Sequence, residues 1–472
     1  MARTLRVAFV GGPMYDGLYA RLPGFERAHG LKVEIGFKGD HPALNEHLAA
    51  HGASYDLVST HSKYAPSQAG FLRPLDEIVK PRELAAFAPS TVELMRYQGA
   101  LLQLPRVIDS KILFYRTDLA ADPELRDGYK MITGRDLRPP ETWDQLAEMA
   151  ALIKQHRGID GFVFPGKESG LFGHFYEILE SAGGELFTPD LEPAFVSDAG
   201  RYAVSLLVRL YHESAPKDVP NWHYDQVAAH FLRGDAAMTT DWPGSYHAYQ
   251  NSPAVGERFD VAIYPVGPSG KRRVYSGGHS FALTSGTRDI PAALELLRFL
   301  TSEESQTHEA RLGSVVPSTA AMQTVKNEAP AGGREARRLA ILDETMRDCM
   351  AIPPKFPRYP LCEDALWESI RAALLGELTV DQALLEAAAA VRAVTREKRP
   401  LHGVAHKSAP KKKAVPPRKP KLDDAPAKPA AKPAPSKSAR RKAPKKPKAV
   451  KRAAKPKPKA RPKPKPKKKA RR

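Results

Sequence analysis

The chain has 472 residues, 42% of them hydrophobic, and a formal net charge of +20. That length exceeds one typical core, so two or more domains are expected. The charge is concentrated: residues 407–472 hold 29 Lys or Arg against two acids, leaving residues 1–406 at net −7, so the pI of 9.7 excludes nothing and implies nothing about the body.

No run of about 18 apolar residues occurs, so no transmembrane helix is expected. The opening MARTLRVAFVGG reads as a first strand and not as an export signal, because its apolar run, Val7–Val10, is short. Cys349 and Cys362 are too few for a disulfide framework and read as two separate thiols.

Leu5–Val10 reads as a strand that ends on Gly11-Gly12-Pro13. A helix from Tyr15 to about His29, a strand at Lys32–Phe37, a helix at Pro42–His51 and a strand at Tyr55–Ser59 follow. This β-α-β-α-β order predicts a parallel sheet with helices on both faces. Ligands of such sheets lie beyond the carboxyl ends of the strands, which puts Gly11, Gly12 and Pro13 on one rim with Thr60, His61 and Ser62. Extended segments at Leu101–Pro105 and Ser110–Tyr115 flank Arg106–Asp109.

The texture then turns helical. Trp143–His156 is headed by Thr142 as an N-cap, Leu171–Ala182 stops on Gly183-Gly184, and Ala199–Glu213 follows. A helix at Gln226–Gly234 leads into an apolar strand, Ala236–Thr239. The chain reads as organised around Phe259–Leu283, two strands (FDVAIYP and HSFALTS) joined by a polar connector, which crosses from one lobe to the other. Ser276–His279 would line the gap, Gly277 and Gly278 allowing close approach because neither has a Cβ. Helices at Pro291–Leu300 and Ser302–Arg311 precede a return crossing at Gly313–Ser318, and a helical block runs from about Arg334 to Arg396. Residues 407–472 contain 15 prolines and no aromatic residue, so a disordered tail with polyproline-II character is expected there.

Gly161-Phe-Val-Phe-Pro-Gly166-Lys167 has phosphate-loop spacing, but Glu168 replaces the Ser or Thr that would meet Mg²⁺, and the intervening residues read as a strand. His47 and His51 stand one helical turn apart without the Glu of a zinc protease between them and read as a solvated face. Ser276-Gly-Gly-His-Ser280 cannot assemble a triad, because residues so close in an extended segment do not place base and nucleophile together. Trp242, after a strand and before Pro243-Gly244, suits stacking on a ligand face, and Asp241 beside it suits a hydroxyl; a core-capping Trp and a turn Asp are the plainer readings.

Several passages share an order with a known family: Tyr55-Asp-Leu-Val-Ser59 then Gly70-Phe-Leu-Arg-Pro-Leu75, Leu104-Pro-Arg106 then Leu113-Phe-Tyr115, Pro140-Glu-Thr-Trp-Asp-Gln-Leu146, Ser181-Ala-Gly-Gly184, Phe231–Met238, Ala292–Ser305 and Gly376–Leu384. On these, residues 5–397 resemble the extracellular solute-binding proteins of ABC transporters, typified by maltose-binding protein. The resemblance implies an α/β, two-lobed periplasmic-binding-protein fold (type II) with a three-passage hinge: residues 1–108 and 268–314 in the N-terminal lobe, 109–267 and 315–397 in the C-terminal lobe, and 398–472 as the tail. Crossings are expected near Arg106–Ser110, Tyr264–Val266 and Val315–Pro317.

It further implies a receptor and not an enzyme, without cofactor or metal, closing on a small solute, commonly a sugar or polyol. Such a receptor acts as a monomer in the periplasm or cell envelope and delivers its solute to an ABC permease in the membrane. Family contacts carry over to Gly12, Pro13, Thr60, His61, Ser62, Arg106, Asp109, Asp241, Trp242, Gly277, Gly278, His279, Arg358 and Tyr359; Tyr15 is added on geometry alone. The missing export signal and the basic tail depart from the family, the tail being similar in composition to those of linker histones. A second reading therefore keeps the fold but places the chain in the cytoplasm, with residues 407–472 touching DNA or other polyanions non-specifically and the cleft sensory or vestigial.

Overall fold

The computed structural model describes residues 3–397. Strand β1 (Arg3–Val10) is buried at every position from Val7 onward, as a central strand covered on both faces must be. It pairs in parallel with β2 (Leu31–Gly39) and β3 (Leu57–His61), which confirms the β-α-β-α-β reading. The first expected helix is two: α1 (Pro13–Tyr19) and α2 (Leu22–His29). Pro23 explains the break, because its ring and missing N–H are tolerated in a first turn and not in a helix interior. Helix α3 (His41–His51) is capped by Asp40, whose carboxylate accepts from the Ala43 N–H at 2.8 Å.

Strand β4 (Leu104–Asp109) ends the first sheet, and β5 (Ile112–Arg116) opens the second. The second lobe continues with α4 (Trp143–Arg157), β6 (Asp160–Val163), α5 (Glu168–Ser181), α6 (Asp198–Ser214), α7 (Tyr224–Leu232), β7 (Ala236–Asp241) and β8 (Phe259–Ala262). Thr142 caps α4 as its sequence position suggests, accepting from the Gln145 N–H at 3.1 Å. Strand β9 (Gly277–Leu283) then returns to the first sheet, followed by α8 (Ile290–Leu300), α9 (Glu303–Arg311) and α10 (Thr319–Glu328). Helices α11 (Arg334–Glu344), α12 (Tyr359–Leu374) and α13 (Val380–Arg396) complete the described chain. The expected continuous helical block is thus interrupted, since Pro353, Pro354 and Pro357 lie between α11 and α12.

The first sheet has the order β2-β1-β3-β9-β4, with β9 antiparallel to both neighbours; the second has the order β8-β5-β7-β6. One apolar core is built around Val7, Phe9, Leu57, Phe281 and Leu296, and another around Trp143, Phe162, Phe175, Leu207 and Leu366. Cys349 and Cys362 are both buried and unbridged. No described helix is long and apolar enough to cross a membrane.

Three passages join the lobes, but two of them fall away from their expected positions. The first lies at Ser110–Lys111, between β4 and β5. The second is at Ser276, not Tyr264–Val266, because residues 268–275 stay with the second lobe: Ser269 bonds to the Ser181 carbonyl, and Val274–Tyr275 pairs with Met350–Ala351. The third lies between α10 and α11, not at Val315–Pro317. The Ile108 N–H donates to the Val315 carbonyl at 2.8 Å and the Ala88 N–H to that of Pro317 at 2.9 Å, which holds residues 315–328 on the first lobe. Met322 and Val325 of α10 pack there with Val107 and Ala310. Helix α11 reaches the other side, where Arg337 Nη2 meets Asp260 Oδ2 of β8 at 2.6 Å, while its Leu339 still packs with Val107 and Ala310 and its Arg338 donates to the Gly313 carbonyl at 3.1 Å. The expected boundaries at 267/268 and 314/315 move accordingly. The expected tail, 398–472, lies outside the described residues.

Candidate functional site

Strand β9 runs between β3 and β4, and its register sets His279 opposite His61 and Gly277 opposite Asp109. Three side chains from three strands therefore converge at one end of the first sheet. His61 Nδ1 accepts from the Lys63 backbone N–H at 3.1 Å, leaving Nε2–H to donate to Asp109 Oδ2 at 2.6 Å. The other carboxylate oxygen, Oδ1, lies 2.9 Å from His279 Nε2. On the far edge of His279, Nδ1 is 2.6 Å from the Tyr15 hydroxyl and 2.7 Å from His41 Nε2. The Tyr15 hydroxyl and His41 Nε2 are 2.9 Å apart.

The electrostatics follow from burial and from this shared carboxylate. Burial would raise the Asp109 carboxyl, but His279 and His61 outweigh it and hold it well below the usual carboxylate range. Burial lowers both His41 and His61; the neighbouring imidazoles lower His41 further, whereas Asp109 opposes burial at His61 without overcoming it. Gly277 is what permits the approach. A Cβ there would stand 2.5 Å from His61 Cε1 and 3.2 Å from Asp109 Oδ2. Gly277→Ala is accordingly expected to separate His61 from Asp109 and to lower stability by about 1–3 kcal/mol, an overpacking cost readable in urea unfolding.

Facing residues come from the second lobe. Lys63, two residues beyond β3, places Nζ 2.6 Å from Glu363 Oε2 of α12, and the Tyr275 hydroxyl donates to Glu363 Oε1 at 2.8 Å. Trp242 follows β7, and its ring meets that of Tyr224 edge-on with centroids 5.2 Å apart. The Tyr224 hydroxyl is closed to solvent and has no hydrogen-bond partner among the described residues. Its surroundings include Glu177 and Asp241 of the second lobe and Lys63 and Asp109 of the first. Lys111, at the first crossing, lies with Nζ 5.7 Å from the Trp242 ring centre and 2.9 Å from Glu177 Oε2.

Residues 11–307 match the family described as "Bacterial extracellular solute-binding protein". The chain belongs to this family. It is 29% identical over 265 residues to the "Probable ABC transporter-binding protein" of Deinococcus radiodurans, a match covering 54% of this chain and 60% of that relative. The chain thus spans less than two thirds of the relative's length. Among solved structures, maltose-bound MalE3 of T. maritima is similar at 25% identity and TM-score 0.72, with 83% of this chain and 100% of that chain covered. A solute-binding protein of Thermotoga lettingae bound to α-D-tagatose is similar in fold at 23% identity and TM-score 0.70, with 83% and 99% covered.

In this solute-binding protein the residues expected at the site fall into separate groups. Tyr15, His61, Asp109 and His279 meet at the rim, with Gly277 against His61 and Asp109, while Gly278 faces Met95, Leu94 and Ile108. Gly12 caps α1 with φ +119°, a conformation few other residues adopt, and Pro13 is the first residue of that helix. Trp242 stands beside Tyr224, whereas Asp241 is buried, accepts from the Tyr249 hydroxyl and from the Trp242 N–H, and has its carboxyl raised by burial. Five others are bound into the scaffold. Thr60 donates to Gln68, Ser62 bonds to both backbone groups of Gly278, and Arg106 is fully buried against Glu309, the Met14 carbonyl and the Tyr15 ring. Arg358 meets Glu397, and Tyr359 packs on Phe172 and Phe356.

His41, Lys63, Tyr224, Tyr275 and Glu363 escape the sequence reading. The rule that placed Gly12 and His61 also reaches His41, which follows the carboxyl end of β2 by two residues. Lys63 and Tyr275 adjoin segments already singled out. Glu363 and Tyr224 sit in helices whose local sequence gives no such signal.

Proposed function

We propose that this protein binds a sugar or polyol between its lobes and passes it to an ABC permease in the membrane, acting as a monomer in the periplasm or cell envelope and performing no chemistry of its own. The observation that carries this reading is the Tyr224 hydroxyl, buried without a partner beside Trp242. Such an atom costs about 1–3 kcal/mol, a cost that a solute hydroxyl would remove. The Tyr224 and Trp242 rings offer apolar faces suited to a sugar ring, and the Tyr15, His61, Asp109 and His279 rim offers polar groups. The proteins similar in structure that carry maltose and α-D-tagatose support the solute class. A solute touching both lobes at once stabilises their approach, which is the differential affinity that hinge closure requires.

A thermal-shift screen of sugars, polyols, amines, amino acids and small anions tests the reading, since a solute that binds only the native state raises Tm. Tyr224→Phe is then the informative variant. Removing an unpartnered hydroxyl leaves Tm unchanged or slightly higher, while affinity for the solute falls about 10-fold, the net value of one hydrogen bond. If Tyr224→Phe and Trp242→Ala both leave affinity for every binding solute unchanged, the cleft assignment is wrong.

A further inference from the structure

The rim has a composition that sugar recognition does not require: two imidazoles on one carboxylate, with a third behind one of them. A ligating nitrogen of His61, one of His279 and an oxygen of Asp109 all lie within 4.8 Å of one another. Their side chains are 9%, 12% and 13% exposed, so the cluster is sheltered from bulk water. We infer that this protein holds a divalent transition-metal ion of the zinc class at His61 Nε2, His279 Nε2 and the Asp109 carboxylate.

The donor set selects the ion. Imidazole nitrogen with carboxylate oxygen suits Zn²⁺ and its neighbours, whereas Mg²⁺ and Ca²⁺ are held by oxygen alone. Three protein ligands leave a fourth tetrahedral position for water or for a donor atom of a solute. The geometry needs only a small expansion. The two Nε2 atoms stand 2.6 and 2.9 Å from the carboxylate oxygens, while ligands of a tetrahedral ion with bonds of about 2.0–2.1 Å stand roughly 3.3 Å apart. Gly277 supplies the space, since any side chain there would press on His61 and Asp109.

An outer partner is already in place for His279. With the ion on Nε2 the ring proton moves to Nδ1, and His41 Nε2 accepts it from 2.7 Å; ligating histidines characteristically donate their second N–H in this way. His61 behaves differently. Its Nδ1 accepts from the Lys63 N–H in this structure, so loading Nε2 moves the ring proton to Nδ1 and displaces the turn at residues 61–63. The displaced turn carries Lys63, whose ammonium pairs with Glu363 across the lobes, so ion binding and lobe contact are linked through one residue.

This inference does not rest on the sugar reading, whose carrying observation is Tyr224 beside Trp242, although both readings draw on the same rim. The full chain, stripped with chelator, is titrated calorimetrically with Zn²⁺, with Mg²⁺ and Ca²⁺ as controls, and with Co²⁺ for its visible absorption. Wild type is expected to bind one equivalent that His279→Gln and His61→Gln abolish, with the four-coordinate Co²⁺ band lost in both. His41→Gln weakens binding about 10- to 100-fold, as loss of an outer partner does. His47, His51, His402 and His406 remain in every variant, so an ion held there survives all three substitutions. Asp109→Asn serves where a His variant fails to keep the metal-free Tm. Binding that persists in both ligand variants, or no Zn²⁺ binding to wild type, overturns the proposal and leaves a purely hydrogen-bonded rim. The sugar screen is run in chelator: a hit there with no metal site sinks this inference alone, and a metal site with no sugar hit sinks the sugar reading alone.

Discussion

Lys111→Met is expected to lower the free energy of unfolding by about 3–5 kcal/mol, the cost of leaving a buried charge without its partner. Lys111 and Glu177 are both fully buried, with Nζ 2.9 Å from Oε2, and His174 Nδ1 lies 2.8 Å from the other carboxylate oxygen. The Tyr264 hydroxyl and the Tyr275 backbone N–H each donate to the same carboxylate at 3.2 Å. Burial pushes the Glu177 carboxyl up, but Lys111 and His174 outweigh it and the group is lowered on balance. Glu177→Gln should cost a comparable amount, since it strands the ammonium instead. The double variant Lys111→Met/Glu177→Leu should recover most of the loss, because an apolar pair of similar volume needs no desolvated charge.

The pH dependence gives a second check. In wild type the folded-state pKa of Glu177 is below its unfolded value, so its stabilisation is complete above about pH 4.5 and is lost as pH falls through the folded pKa. In Lys111→Met the unpaired carboxylate is raised instead, and protonation relieves it. The gap between the two proteins therefore narrows as pH falls from 7 toward 4. Urea unfolding at several pH values measures it. A gap below about 1 kcal/mol at pH 7 would show that the ion pair is not what holds the first crossing against α5.

Such networks mark where the sequence stops being informative. The parallel part of the first sheet, β2-β1-β3, was legible because its strands are local apolar runs separated by helices, and the Thr142 cap because capping is a three-residue interaction. His61 was legible by its place at a strand end, His279 by its place in the Ser276–His279 crossing, and Asp109 through the family resemblance. That they share one carboxylate was not, because this depends on the register of β9 against two strands distant in the chain. Arg106 carries over from the family as a solute contact; what the sequence does not show is that Glu309, far along the chain, pairs with its guanidinium in the core while Nη1 has no hydrogen-bond partner among the described residues. The third crossing was misplaced for the same reason: Val315 and Pro317 are held by backbone bonds to residues 108 and 88, and nothing in their own composition records those partners.

Lys63→Met should shift the balance between lobe arrangements more than it lowers the stability of either lobe. Lys63 extends from the first sheet and Glu363 from α12, so their 2.6 Å contact spans the gap between lobes. Glu363 is 3% exposed and Lys63 12%. Burial would lower the Lys63 ammonium, but Glu363 outweighs it and holds the group well above its ordinary value. Burial and then Glu363 raise the Tyr275 hydroxyl, which remains a donor. Removing the ammonium leaves a desolvated carboxylate with one hydroxyl donor, at a cost of about 2–5 kcal/mol in the arrangement seen here. Separation of the lobes would return Glu363 to water and cancel that cost. The expected result is a larger radius of gyration by X-ray scattering and solute affinity lowered at least ~30-fold, since 2 kcal/mol is about that factor. Lys63→Arg, which keeps the charge, should restore much of both. An unchanged radius together with a fall in unfolding free energy of the full 2–5 kcal/mol would mean that the pair fastens a single rigid body, and that the two lobes do not hinge about it.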